Sequence, residues 1–470
     1  MRVKTTDHTD NTELFASAPV RKAVIALVVP TVISQLITVV YNMADTFFIG
    51  QVGDPNQVAA VSLCMPAFML LTGMANLFGI GGASLISRSL GVGNHRRARA
   101  TASFSIWTAG AVALLYGLLL YALRGILLPA IGADADTYVF CEQYIFWTIT
   151  VGAVPTVLNQ ALAHLVRSEG CSKQASFGMA LGGVLNMLLD PIFIFPLGLD
   201  VAGAAIATML SNLIATIYFL LLIRRRGTST NIKLHPKYYS LQKQIPKEVL
   251  LVGLPSCVMN LMGVASNVTL NKLLVSYANT AVAGIGVAKK VDMLTFAIIN
   301  GMSQGALPLI GYNYSAKNYQ RMLSAIKTTL LYSFVVTFIS AVLLFTCAAP
   351  IVHAFIADSE TVRYGQLFQR IICITGPLVS LTMISITVFQ SVGKKLEPLL
   401  LSLLRKGGLD IPLMFLMDKL AGIEGIVWAT PIADCCALIV AVMLFIPFWR
   451  RFSQAIPAEA VPEPANAPRA

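Results

Sequence analysis

Long apolar segments alternate with short polar connections along most of the chain. Twelve segments stand out, each close to the roughly 20 residues that a helix needs to cross a bilayer. No long polar stretch remains that could fold as a separate soluble domain. The pattern predicts an all-α polytopic membrane protein with helices at 23–49, 58–86, 101–123, 139–166, 177–196, 202–223, 250–275, 281–310, 328–349, 367–390, 398–417 and 423–448.

The connections alternate in charge, and this orients the predicted helices. One set is mainly acidic and includes Asp54, Asp134, Asp200 and Asp358. The other set is basic, and the positive-inside rule places it in the cytoplasm together with both termini. Its residues include Arg21, Lys22, Arg96, Arg97, Arg99, Arg167, Lys173, Arg224, Arg225, Arg226, Lys317, Arg321, Lys394, Lys395, Arg450 and Arg451.

Composition supports a membrane protein and excludes a nucleic-acid partner. Charged residues make up 12% of the chain, about half of what soluble domains usually carry. The net charge of +12 arises in short connections, where orientation in the bilayer explains it. We expect the lipid bilayer and small molecules as partners, and a monomer in a bacterial-type cytoplasmic membrane.

The chain contains an internal repeat of about half its length. Pro30 corresponds to Pro255 at an offset of 225, and Asp134 to Asp358 at 224. Gly203 and Thr208 correspond to Gly425 and Thr430 at 222. An even number of helices in each half gives both the same orientation, so a pseudo-two-fold axis along the membrane normal should relate two six-helix lobes. The predicted divisions are an N-terminal tail 1–22, a first lobe 23–223, a basic linker 224–248, a second lobe 249–449 and a disordered tail 450–470.

This architecture favours a transporter, because repeat-built transporters bind substrate between their lobes and rock one against the other. The sequence has no Gly-x-Ser-x-Gly, His-Glu-x-x-His or Walker-type motif, the patterns typical of several enzyme classes. We therefore expect no enzyme and no cofactor. With no nucleotide site, energy would come from a coupling ion, H⁺ or Na⁺.

Ionisable residues inside the predicted spans of the first half indicate where that ion binds. A charged side chain at mid-membrane costs about 2.5–3.5 kcal/mol on insertion scales, so each needs a reason. Asn186 and Asp190 lie four residues apart on one helical face, while Asp45 and Thr208 lie in other spans. These oxygens suit a hard cation such as Na⁺, and desolvated carboxylates can also carry a proton. The alternatives are a helix-end Asp190 at the aqueous boundary and a hydrogen bond from Asp45 to a neighbouring helix.

Acids in the second half are expected to be neutralised or to line the substrate cavity. Asp292 lies three residues from Lys289, and Asp410 four from Lys406, spacings that permit local pairing. Asp434 has no such partner in its own span. Methionine suits adaptable binding surfaces, although most methionines will pack or face lipid. The cavity candidates are Gln35, Asn42, Met43, Met65, Met262, Asn267, Lys289, Met293 and Asp434.

Several motifs resemble the multidrug and toxin extrusion (MATE) family over about residues 20–450. They include Ala44-Asp45-Thr46, Gly91-Val92-Gly93-Asn94, Leu189-Asp190-Pro191, the loop from Gly311 to Lys317, and Arg405 followed by Ile411-Pro412. The resemblance implies a V-shaped fold and export of drugs, often cationic, in exchange for Na⁺ or H⁺. In the DinF-like branch the coupling cluster maps onto Asp45, Asn186, Asp190 and Thr208, with Tyr144 as the matching tyrosine of the fourth span.

The sequence differs from the family pattern at two places. The NorM-like branch also uses an acid in the seventh span, whereas residues 250–275 contain no Asp or Glu. Ser315 stands where the family more often has glycine, and we expect only a local effect on the loop.

A lipid-linked oligosaccharide flippase of the same architecture is the alternative function. It would need a cationic cavity for pyrophosphate. Convergence of several of Lys272, Lys289, Lys290, Arg405 and Lys406 on the cleft would favour it.

Overall fold

A computed structural model describes residues 13–242, 244–356 and 358–456, and within these ranges the chain forms twelve long helical segments. The first half contains α1 Val20–Gly50, α2 Pro55–Gly91, α3 His95–Ala122, α4 138–168, α5 Ser172–Ile194 and α6 Asp200–Arg226. The second half contains α7 Gln244–Val275, α8 Asn279–Ser315, α9 Tyr319–Thr346, α10 359–391, α11 396–421 and α12 423–454.

Most of these twelve helices are long and apolar enough to cross a membrane. Eight described helices are long and apolar enough to cross, and two bent pairs, the two parts of α4 (49°) and of α10 (45°), raise the number to ten. One of the eight, 396–454, divides into α11 and α12 at Gly422, whose left-handed backbone (φ 57°, ψ −139°) turns the chain. The remaining helix, α8, has 37 residues and carries Lys289, Lys290 and Asp292 in its first half. The predicted all-α, two-lobed fold is confirmed.

The repeat is visible in the local structure of the loops. The Asp134 carboxylate accepts hydrogen bonds from the Thr137 backbone N–H (2.9 Å) and hydroxyl (2.7 Å). Asp358 accepts the same two from Thr361, at 2.8 and 2.7 Å. The side chain of Asn94 caps α3 and that of Asn318 caps α9. Short helices, Arg124–Ala130 and Ala348–Phe355, follow α3 and α9, so the two halves repeat each other in detail.

Both described chain ends lie at one end of the molecule, here called the termini end. Phe15 stacks on Tyr312 at the end of α8, and Phe452 packs against Tyr314 and Tyr319. The helix α12 continues to Gln454, beyond the predicted start of the tail at 450. The rest of that predicted tail, 457–470, and residues 1–12 lie outside the described part of the chain.

The two halves meet where α1 crosses α8 and α2 crosses α7, and glycines permit the approach. A Cβ added at Gly253 on α7 would lie 1.9 Å from the Leu77 carbonyl oxygen on α2, and one at Gly81 would lie 2.0 Å from that of Val249. On α8, a Cβ at Gly301 would lie 2.5 Å from Val32 Cα. A methyl group at any of these positions would separate the halves.

Several polar contacts between the halves lie near the termini end. Glu248 at the start of α7 binds Arg88 on α2 (3.1 Å) and Arg97 on α3 (2.8 Å). Ser84 donates a hydrogen bond to the Gln390 carbonyl (2.6 Å). Gly91 lies against Ser315. The loop position where the family more often has glycine therefore belongs to the contact between the halves. The halves are therefore closed together towards the termini end.

Arg167 differs from its predicted place in a basic connection. It lies in the last turn of α4 and is only 1% exposed. Its guanidinium lies near the His164 ring (3.4 Å) and Gln304 of the second half (3.5 Å). The prediction was wrong because α4 continues through these residues and packs their side chains inside the protein.

Candidate functional site

Three members of the predicted first-half cluster form one hydrogen-bonded group. Asn186 and Asp190 project from the same face of α5 and are 1% and 0% exposed, and Thr208 of α6 is also buried. The Asn186 amide donates to Asp190 Oδ1 (3.0 Å) and lies 3.3 Å from Thr208 Oγ1. The four-residue spacing places both α5 side chains on the α6 side.

Asp45 completes this group from the far part of α1. It lies near enough to Asp190 for their charges to interact. Buried oxygens of three residues have no hydrogen-bond partner among the described atoms: Asp45 Oδ1, Asn186 Oδ1 and Asp190 Oδ2. Buried polar atoms are normally satisfied, so these three oxygens form an acceptor-rich site that lacks donors.

Two alternatives for these acids are contradicted by the geometry. Asp190 is fully buried and does not face an aqueous boundary, although Pro191 follows it. The Asp45 carboxylate makes no hydrogen bond to a neighbouring helix within the described residues, and its Oδ1 is buried without a partner.

Two tyrosines lie beside the acids. Tyr144 is 5% exposed and close to both Asp45 and Asp190, although its hydroxyl has no hydrogen-bond partner within the described chain. Tyr41 on α1 is close to the same two acids and was not identified from the sequence. It precedes Asp45 by one helical turn, and this spacing could have indicated it. Its ring packs on Gly183, where an added Cβ would lie 2.8 Å from Tyr41 Cδ1.

The donor set at this site is restricted to oxygen. Two carboxylates, an amide oxygen and a hydroxyl suit Na⁺ or another hard cation better than a transition metal. Among the described residues, no three His, Cys, Asp or Glu side chains lie close enough together to hold a metal ion. A proton on either carboxylate would equally supply a missing donor.

A second polar site occupies the interior of the second half, between α8, α10, α11 and α12. This second-half cavity has a volume of about 410 Å³, including its open mouth. Its polar lining residues are Lys289, Asp292, Thr295, Thr375, Arg405, Lys406, Thr430 and Asp434. Three of the five basic residues relevant to the flippase alternative therefore converge here, but together with acids.

One of the two expected local pairs is confirmed, Lys406 with Asp410, and the other, Lys289 with Asp292, is not. Asp434 lines the cavity but is not free: Arg405 of α11 binds it at 2.8 Å, and both are almost fully buried. Lys406 pairs with Asp410 at 3.9 Å, and Asp410 also accepts from Ser266 (2.5 Å) and Thr430 (2.9 Å). Lys289 and Asp292 form no ion pair with each other, so the expected local neutralisation of Asp292 is wrong.

The other cavity candidates are scattered. The Gln35 amide donates to Gln304 across the two halves at 2.9 Å. Met43 and Met262 are half-buried, and Met262 lies against Gly407. Exposed positions are Asn42, Met65, Asn267 and Met293. None of these seven lines the second-half cavity.

Comparison with known proteins places this geometry in a family. A family model described as MatE matches residues 30–192 and 255–416, one stretch in each half. A multidrug export protein MepA of Staphylococcus aureus (strain MSSA476) is 29% identical over 435 residues, covering 92% of this chain and 95% of its own. A MepA of Staphylococcus saprophyticus is 29% identical over 433 residues, with the same coverage.

Solved structures show the same fold. The crystal structure of MATE in complex with MaL6 superposes with a TM-score of 0.89 at 24% identity, covering 94% of this chain and 99% of that one. A multidrug resistance MATE family transporter in an outward-facing conformation gives 0.86 at 24% identity, with 96% and 100% covered. Since the family model matches well over half of the sequence, this multi-pass membrane protein belongs to the MatE family.

Proposed function

We propose that the protein is a secondary active antiporter that exports amphipathic, mostly cationic compounds in exchange for H⁺ or Na⁺. Its relatives named multidrug export protein MepA support export of varied compounds. The observation that carries the coupling proposal is the set of buried oxygens without donors on Asp45, Asn186 and Asp190. No catalytic step and no cofactor are proposed.

No cationic side chain of the described residues balances Asp45 and Asp190, so a bound ion would supply the missing positive charge. Neither Asp45 nor Asp190 has an ion-pair partner among the described residues. Asp190 is buried and Asp45 is half-buried, and two carboxylates in such a site repel each other and are costly to desolvate. A bound proton or Na⁺ relieves this cost and favours the packing of α1, α5 and α6 that encloses it, whereas ion loss favours another.

Linkage connects this ion to the drug. If ion and drug bind different arrangements of the halves with different affinities, each reduces or increases the affinity of the other by the same factor. The halves contact each other towards the termini end, whereas Asp45 and Asp190 lie at the far ends of α1 and α5. We infer that the cluster is reached from the side opposite the termini, which the positive-inside rule makes the outside of a cytoplasmic membrane.

Drug efflux in cells that carry Asp45→Asn or Asp190→Asn at matched expression tests the assignment. Each variant is expected to lose resistance. Undiminished resistance in both variants would remove the first-half cluster from the coupling mechanism.

The flippase remains a second candidate because Lys289, Arg405 and Lys406 share one cavity. Asp434 and Asp410 neutralise the latter two, however, which leaves little excess charge for a pyrophosphate. A lipid-linked pyrophosphate that displaces bound dye at micromolar concentration would favour the flippase.

A further inference from the structure

We propose that the second-half cavity binds the carboxylate of zwitterionic substrates at Lys289 and their cationic group at Asp292. This inference rests on the proposed export function and names a substrate class for it. Lys289 and Asp292 lie one turn apart on α8, and both line the cavity. Among the described residues, neither side chain has a hydrogen-bond or ion-pair partner.

The other charges at the cavity are already satisfied by the protein. Arg405 holds Asp434 at 2.8 Å, and its guanidinium lies 5.5 Å from the centre of the Phe296 ring. Asp410 is held by two hydroxyl groups as well as Lys406. The amine of Lys289 and the carboxylate of Asp292 are therefore the two groups left to meet a ligand.

The separation of these two groups is informative. A spacing of three residues on a helix permits direct contact between a lysine and an aspartate, yet they lie beyond ion-pair distance. Both are only half-buried and face the cavity rather than each other. An unpaired charge in a poorly solvated site is costly, and a ligand with one charge of each sign would satisfy both groups.

The walls of the cavity suit part of an aromatic ligand. The space of about 410 Å³ includes an open mouth, so a ligand larger than the enclosed part can extend out of the cavity. Phe296, Ile299, Ile372 and Val379 supply apolar surface beside the charged groups. Such a wall orients a planar substrate, while Lys289 and Asp292 distinguish its two ends.

A pair of dyes that differ by one charge tests the proposal. Rhodamine 110 carries a free carboxylate and a cationic ring system, and rhodamine 123 is its methyl ester and only cationic. Binding to the purified full-length protein is measured by fluorescence anisotropy, independently of any ion gradient. Lys289→Gln is expected to weaken binding of the acid about tenfold and of the ester less than about twofold. Asp292→Asn is expected to weaken both.

Matched variants separate this effect from loss of structure. Lys290→Gln removes the neighbouring, exposed lysine of the same helix, which does not line the cavity, and should leave both affinities unchanged. Lys289→Arg keeps the charge and should retain the preference for the acid. Asp190→Asn should stop gradient-driven transport but preserve the ratio of the two affinities.

The outcomes distinguish this inference from the proposed function. Equal losses for both dyes in Lys289→Gln, or no loss for the acid, would overturn the carboxylate site. Wild-type protein that binds the ester but not the acid would also overturn it and leave multidrug export intact. If the wild type neither binds nor transports either dye, the proposed function itself fails.

Discussion

The two halves share a backbone plan but place their buried charges in opposite ways. In the first half, Asp45 and Asp190 lie together, no cationic side chain of the described chain pairs with them, and each has an oxygen that lacks a donor. In the second half, Asp434 and Asp410 are held by Arg405 and Lys406. The duplicated frame is therefore shared, but the charges on it differ. Among the described residues, the first half brings two acids together with no cation beside them, whereas the unpaired acid of the second-half cavity, Asp292, lies one turn from Lys289.

Removing a first-half acid should have the largest effect on transport. Asp190→Asn keeps a side-chain oxygen that can accept from Asn186, but it abolishes the charge that a coupling ion requires. Gradient-driven dye transport should fall below about one tenth of wild type, while the melting temperature stays unchanged or rises because a buried, unpaired charge is lost. Asp136→Asn, at an exposed loop position, is the control and should transport normally.

Removing Asp434, the acid that Arg405 holds in the second half, should instead mainly lower the stability of the fold. Asp434→Asn leaves the Arg405 guanidinium buried without a carboxylate, which typically costs about 3–5 kcal/mol. Thermal unfolding in detergent should shift down by several degrees. Adding Arg405→Gln to Asp434→Asn should recover much of the loss, and an unshifted single variant would show that the pair is not needed for stability.

These two acids also show what the sequence can reveal. Asn186 and Asp190 share a helix, so helical periodicity alone predicts that they lie on one face. Asp434 finds Arg405 on another helix, 29 residues away, and such contacts depend on how helices rotate and pack. Lys289 and Asp292 have the spacing for a pair but turn to the cavity. Helical periodicity predicts which side chains share a face of one helix. It does not predict which residues of other helices they contact.

The contact between the halves can be opened independently of either charge site. Gly253→Ala places a methyl group against the Leu77 carbonyl, where the added Cβ would lie 1.9 Å away. Spin labels replacing Val92 and Ala316, which are exposed beside the Gly91–Ser315 contact between the halves, should then show a longer distance, and transport should decrease several-fold. Gly263→Ala on the same helix has no atom within 4 Å of the added Cβ and should change neither quantity. An unchanged distance in Gly253→Ala would contradict the close α2–α7 packing.

The smallest effect is expected where the halves are alike. Hydrogen bonds from Thr137 hold the pKa of Asp134 below its usual range, and those from Thr361 do the same for Asp358. A lowered folded-state pKa means that the stabilisation is present above the unfolded pKa of about 3.9 and is lost as pH falls through the folded value. Asp134→Ala and Asp358→Ala should each lower the melting temperature slightly at pH 7, with the difference from wild type vanishing in strong acid. Unequal shifts would mean that the repeat does not extend to these caps.

Transport in proteoliposomes with pH and Na⁺ gradients imposed separately tests most directly whether ion coupling belongs to the first half alone. We predict that one of the two gradients drives dye movement by the wild type. That response should be lost in Asp45→Asn and Asp190→Asn, and kept in Lys290→Gln. Dye movement that ignores both gradients, or a full response in Asp190→Asn, would contradict the assignment of ion coupling to the first half.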